Sequence, residues 1–180
     1  MRRGGDLYPC QALGLPPHLK YQNEGGPSLA QCFALVREIS SAPAPDVLHL
    51  LDAVTFNLLI GNNDAHGKNF SFLYDTSGGR HRIRLAPLYD LVSTAYYPEL
   101  SPKMAMKIGS RYTPHQVRLR HWQEWWQAAD VSENAARKRT LRFAEKVDGL
   151  LASQPVENPV QEAIAKATAT RAKGLRSSLA

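Results

Sequence analysis

The chain has 180 residues, 43% of them apolar, and carries 22 Lys and Arg against 16 Asp and Glu, a formal net charge of +6. That length suits one domain of ordinary size, and the apolar share is enough for a hydrophobic core, which excludes wholesale disorder. The longest mostly apolar stretch, Leu48 to Ile60, is interrupted by His49, Asp52, Thr55 and Asn57 and is too short and polar to span a bilayer. Met1-Arg2-Arg3-Gly4-Gly5 has a positive start but no apolar signal core behind it, so a cytoplasmic protein without membrane association is the simplest reading.

Cys10 and Cys32 have no second pair to make a zinc site, and read as reduced, partly buried thiols. The basic excess suits either a polyanionic partner (nucleotide, tRNA, an acidic protein surface) or plain solubility, and composition does not choose.

Residues 1–27, rich in Gly, Pro and polar side chains, read as an irregular leading segment, with residues 28–180 as one helical domain. Ser28 is placed to cap a helix running through Ser40, with Leu29, Cys32, Phe33, Leu35 and Val36 near one face. Ser41-Ala42-Pro43-Ala44-Pro45 breaks it, and Asp46 is expected to cap a second helix from Val47 to about Ile60. That helix is apolar around most of its circumference, the mark of a buried central helix.

A polar loop follows, Gly61 to Asn69, and then two short strands, Phe70 to Tyr74 and Arg82 to Leu85, with the turn Thr76-Ser77-Gly78-Gly79 between them. Pro87 to Tyr97 reads as loop. Thr113-Pro114 is expected to open a helix through Ala129, Ser132 another, and Asn158-Pro159 a last one towards Leu175, fraying near Gly174. The fold class is mainly α with a small central β-hairpin.

The chemistry concentrates in Asp64-Ala65-His66-Gly67-Lys68-Asn69 and in Asp90, 21 residues beyond Asn69. Phosphoryl transfer needs a carboxylate that orients an acceptor hydroxyl and takes its proton, and hard oxygen ligands for the magnesium that accompanies a triphosphate. Kinase-type loops place the base Asp five positions before a metal-binding Asn, with a second metal-binding Asp at the far end of a hairpin. Asp64, Asn69 and Asp90 have that layout, and Lys68 can neutralise charge developing on the phosphoryl group. On residue pattern alone, Asp64 reads first as a turn cap, and His66 is equally a structural, hydrogen-bonded histidine.

Leu59-Ile60-Gly61-Asn62-Asn63-Asp64-Ala65-His66-Gly67-Lys68-Asn69-Phe70-Ser71 resembles the signature of the HipA family of kinases. Leu85-Ala86-Pro87-Leu88-Tyr89-Asp90-Leu91-Val92-Ser93 resembles that family's metal-binding segment, and Cys10 to Gly14 and Lys20-Tyr21 to Gly25-Gly26-Pro27 are similar to it upstream. The resemblance is strong from about residue 10 to residue 108. It implies the C-terminal helical lobe of an ATP- and Mg2+-dependent serine/threonine kinase, commonly the toxin of a toxin–antitoxin module. It further implies a protein substrate such as an aminoacyl-tRNA ligase (glutamate–tRNA ligase for a known member) and a DNA-binding antitoxin as partner. By resemblance Asp64 is the catalytic base, Asn69 and Asp90 are magnesium ligands, Lys68 contacts the ATP phosphates, and His66 supports the catalytic loop.

Two departures accompany the likeness. Family members carry further subdomains ahead of this region, including a β-rich lobe with the phosphate-binding loop and an ATP-contacting lysine. Immediately before Cys10 they show an acidic His-Gln-Glu-Asp-like stretch, whereas this chain reads Gly5-Asp6-Leu7-Tyr8-Pro9. A truncated gene, a late start or a cloned fragment is therefore expected. So is little or no kinase activity from the chain alone, because this catalysis is mainly positioning and charge stabilisation. A sticky apolar patch is expected where the N-terminal lobe would dock.

Other features have plainer readings. Trp122, Trp125 and Trp126 are expected in the core or a lobe-packing surface, not as a base-stacking platform. His115 and His121 are spaced wrongly for a helical zinc pair. Arg137-Lys138-Arg139 with Arg142 reads as solvated helix surface, and so does the longer basic series Lys103, Lys107, Arg111, Arg118, Arg120. The competing functions are a non-catalytic module that recognises antitoxin or substrate, and a basic nucleic-acid-binding protein.

Overall fold

The structure is a computed structural model that describes residues 6–75 and 81–180. The expected turn Thr76-Ser77-Gly78-Gly79 and the start Met1 to Gly5 lie outside the described residues. The leading segment is more ordered than its composition implies. Asp6–Leu7 is a short strand (β1), Pro9–Ala12 one helical turn (α1), and Gln22–Glu24 a 3-10 turn.

Helix α2 spans Leu29–Ile39 and starts where expected. Ser28 Oγ accepts the Gln31 N–H at 3.2 Å, and the Gln31 side chain takes the Ser28 N–H at 2.9 Å, a reciprocal cap. Helix α3, Pro43–Ile60, begins before the expected Val47. Pro43 sits at its first position, where a missing N–H removes nothing and the fixed φ suits the helix. Pro45 falls in the same turn, whose N–H groups have no helical partner.

Asp46 is therefore not a cap. It is 1% exposed and accepts Ser40 Oγ–H at 2.6 Å, the Leu85 N–H at 2.9 Å and the Arg84 guanidinium at 2.8 Å. Burial alone would raise its pKa, but Arg84, Ser40 and the Leu85 N–H outweigh it and hold the carboxyl below its usual range.

Leu85 belongs to the sheet, in which β2, Phe72–Asp75, and β3, Arg82–Leu85, pair antiparallel from Phe72↔Leu85 to Asp75↔Arg82. Strand β1 joins β2 on its other side (Leu7↔Phe72), so the expected hairpin is two strands of a three-stranded sheet.

Thr113-Pro114 opens only a 3-10 turn, Pro114–Gln116. Val117 then goes extended (φ −68°, ψ 127°) and buries its side chain, and helix α4 starts after it, at Leu119–Ala128. Helices α5, Glu133–Ser153, and α6, Pro159–Leu179, pack against each other. Asn158 caps α6 through the Gln161 N–H at 3.0 Å. Gly174 does not end α6, because Leu175 and Leu179 beyond it are buried and anchor the last turn.

Helix α3 is central as its composition predicts, packing against α2, α5, α6 and β3. Asp52 on it pairs with Arg139 of α5 at 2.6 Å. Trp122, Trp125 and Trp126 are buried in the core, with Phe33 edge-on to Trp125 at 5.7 Å.

Candidate active site

Helix α3 ends at Gly61, whose left-handed backbone (φ 75°) turns the chain into the polar loop. That loop is braced across the fold. Asn62 Nδ2 donates to Asn57 Oδ1 at 2.9 Å and to the Asp90 carbonyl at 3.0 Å. The Asn63 N–H donates to Thr94 Oγ1 at 2.8 Å, and its carbonyl accepts the Ala105 N–H at 2.7 Å. Asn62 and Asn63 thus tie the Asp64 loop to the segment carrying Asp90.

The tie brings Asn69 and Asp90 together. Asn69 Nδ2 donates to Asp90 Oδ2 at 2.5 Å, while its Oδ1 accepts the His66 N–H at 2.8 Å. Asp90 has a left-handed backbone (φ 56°), which Asp tolerates better than most residues at a cost of about 1 kcal/mol. The hydrogen bond from Asn62 to its carbonyl holds that conformation.

Asp64 meets a different partner. Tyr21 Oη–H donates to Asp64 Oδ1 at 2.8 Å, and the same ring stands edge-on to His66 at 5.6 Å. The Lys20 ammonium lies 4.7 Å from the Tyr21 ring centroid. Asp64 and Asp90 both act electrostatically on Lys20 and on His66, so the two carboxylates share one charged neighbourhood.

Burial, reinforced by Lys20, lowers the His66 pKa against the opposing pull of Asp64 and Asp90. A neutral ring fits its contacts, because Nδ1 accepts the Lys68 N–H at 3.3 Å, leaving the proton on Nε2 by the hydrogen-bond network. His66 therefore supports the loop backbone. The Lys68 ammonium makes no hydrogen bond or ion pair among the described residues, and its carbonyl accepts the Tyr89 hydroxyl. A half-buried cation beside Asn69 without a partner suits an incoming phosphate.

Two glycines permit this packing. A Cβ on Gly67 would stand 2.3 Å from Pro27 Cγ and 3.1 Å from Cys10 Sγ. One on Gly26 would meet the Tyr21 carbonyl oxygen at 2.7 Å. The Lys20-Tyr21 segment and the Asp64 loop pack closely here, the Gly67 N–H donating to the Lys20 carbonyl at 3.4 Å, and neither glycine position has room for a side chain.

Asp90 offers a carboxylate, and Asn69 Oδ1 keeps a lone pair beyond the one His66 uses. Among the described residues no group of three or more His, Cys, Asp or Glu is placed to hold a metal. Two protein oxygens completed by phosphate and water are how magnesium is usually held in phosphoryl-transfer sites, so the residues fit that ion.

Tyr21 and Asn62 carry site geometry that the sequence pattern did not single out. The upstream similarity of Lys20-Tyr21 to Pro27 was the only signal for Tyr21, and nothing in the spacing links it to a residue 43 positions away. Beyond Asp90, the side chains of Leu91, Val92, Tyr96, Tyr97 and Leu100 are exposed, an apolar run beside the site.

Residues 8–152 match the family model described as the HipA-like C-terminal domain. A Sinorhizobium fredii protein named as an inferred kinase, Y4mE, is 52% identical over 136 residues, covering 76% of this chain and 31% of its own length. A Shewanella oneidensis protein named serine/threonine-protein kinase toxin HipA is 29% identical over 154 residues, covering 79% of this chain and 34% of its own. The chain thus spans about a third of the length of these curated relatives. In fold it is similar to HipA in a solved complex of Shewanella oneidensis HipA, HipB and operator DNA. The TM-score is 0.80 at 23% identity, covering 98% of this chain and 46% of that one.

Proposed function

The chain belongs to the HipA-like C-terminal domain family, and from that premise we propose that it is the metal- and acceptor-binding lobe of an ATP-dependent serine/threonine protein kinase. The observation that carries the reading is the 2.5 Å contact between Asn69, on the loop that also bears Asp64, and Asp90, 21 residues further on and beyond β3. Magnesium, when bound by Asn69 and Asp90, would fix the triphosphate and neutralise its charge.

The chain's own residues supply the rest. Asp64 orients the acceptor hydroxyl and takes its proton, and Tyr21 holds one of its oxygens so that the other faces substrate. Lys68 contacts phosphate. His66, kept neutral, fixes the Lys68 backbone through Nδ1 and the Asn69 side chain through its own N–H, so that both residues present to one ligand. A second, phosphate-gripping lobe is needed for efficient transfer, and the exposed apolar run after Asp90 is the surface such a lobe would cover. By likeness to the solved relative, a DNA-binding antitoxin is the proposed partner; the substrate is a protein hydroxyl and the setting the cytoplasm.

The test is transfer of radiolabel from ATP to protein. The chain alone is expected to give near-background turnover, restored when the β-rich lobe of a relative is added in trans. Asp64→Ala is expected to lower the restored rate by about 10²–10⁴-fold. Robust turnover by the chain alone contradicts the need for a second lobe, and transfer that survives Asp64→Ala contradicts the assignment of the base.

A further inference from the structure

On the side of the fold lined by α6 and the 3-10 turn at Pro114 lies a cleft of about 430 Å³. None of Asp64, His66, Lys68, Asn69 or Asp90 lines it, so it is not the pocket of the proposed reaction. The volume falls in the range of small-molecule sites, roughly 300–1,000 Å³. Leu58 and Pro114 give it partly exposed apolar walls, while Arg171, Arg118 and His115 bring basic groups and no described Asp or Glu contributes.

Arg171 is the half-buried one of these basic groups; Arg118 and His115 are exposed. Elsewhere in the fold Arg84, Arg139 and Arg176 each pair with a carboxylate. Arg171 does not; among the described residues its recorded hydrogen bond is one N–H to the Leu59 carbonyl, at 3.2 Å. A guanidinium has five donors, so a half-buried one with a single carbonyl partner leaves most of its capacity unused. Burial alone, with no acid to offset it, lowers its pKa. A cation held beside apolar walls, without a counter-ion, is the complement of an anion that carries an apolar body.

We propose that this cleft is a second ligand site that binds a small amphipathic monocarboxylate, its carboxylate on Arg171 and its apolar body against Leu58 and Pro114. The carboxylate takes Arg171 donors that no described residue uses. Gly174 lines the cleft from α6, and a Cβ there would meet nothing within 4 Å, so the wall is open at that point.

The experiment titrates the 15N-labelled chain with 4-phenylbutyrate, with the neutral amide 4-phenylbutanamide, and with inorganic phosphate, following the Trp122 indole and the α6 amides by NMR. The acid is expected to bind saturably and shift these signals, the amide to bind at least about tenfold more weakly, and phosphate to compete poorly. Arg171→Gln is expected to weaken the acid by about tenfold or more. Because Arg171 also packs on the end of α3, a second variant, Gly174→Phe, fills the cleft from its open wall and is expected to abolish binding with the circular dichroism unchanged. Equal affinity for acid and amide, phosphate binding as well as the acid, shifts confined to other residues, no saturable binding, or undiminished binding in folded Gly174→Phe would each overturn the proposal.

Discussion

Replacing Asp46 by Ala removes a side chain that joins the start of α3 to Ser40 and β3. The Ser40 and Leu85 hydrogen bonds end on a buried carboxylate, and each bond of that kind is worth about 1.5–3 kcal/mol. The Arg84 side chain is 49% exposed, so its pairing adds only about 0.5–1 kcal/mol after solvent screening. Water entering the vacated space returns part of this, which leaves a loss of about 3–5 kcal/mol, large against the 5–15 kcal/mol that domains usually have. Urea unfolding followed by fluorescence of the buried Trp122, Trp125 and Trp126 measures it directly. The pH dependence gives a second check. The folded pKa of Asp46 lies below its ordinary 3.8, so its contribution is complete above that value and lost as pH falls through the lowered folded value. Asp46→Ala should flatten that acid limb. A loss under about 1 kcal/mol, or an unchanged acid limb, would refute the view of Asp46 as the joint between helix and sheet.

Other consequences can be checked as simply. Gly67→Ala drives a methyl into the Pro27 ring and should destabilise the fold by about 1–3 kcal/mol, read as a lowered urea midpoint. His66 has a lowered pKa, so its share of stability is full above 6.5 and falls as pH drops through the folded value; His66→Gln should remove part of that slope, the rest belonging to His121, which is also lowered. Cys32 is pushed up to about 12 by burial and Cys10 is raised as well, so neither should react with a thiol reagent at pH 8 until denaturant is added. In the two-lobe kinase assay, Tyr21→Phe keeps the ring against His66 but removes the donor to Asp64, and should lower kcat about tenfold with a smaller change in KM.

Features set by neighbouring residues could be read from the sequence. Ser28 and Asn158 announce their helices because a cap and the N–H it receives lie within four residues. The loop from Asp64 to Asn69 and its partner Asp90 stand out because their spacing is joined by a preceding apolar helix, a following hairpin and a family-like motif. Asp46 misled for the same local reason. An Asp before an apolar run looks like a cap, and only the folded sheet shows that Leu85 and Arg84 claim its oxygens. Thr113-Pro114 has the form of a helix start, yet burial of Val117 interrupts it. Tyr21 on Asp64, Asn62 on the Asp90 carbonyl, and β1 on β2 all join residues far apart in the chain. No periodicity or propensity records such contacts.

The assignment of Asn69 and Asp90 to the metal can be tested by adding Mn2+ with ADP to the 15N-labelled chain and mapping paramagnetic broadening. The account predicts broadening centred on the amides of Asn69 and Asp90, extending to the Asp64 loop and lost in Asp90→Ala. Broadening centred elsewhere, or unchanged in Asp90→Ala, would contradict it.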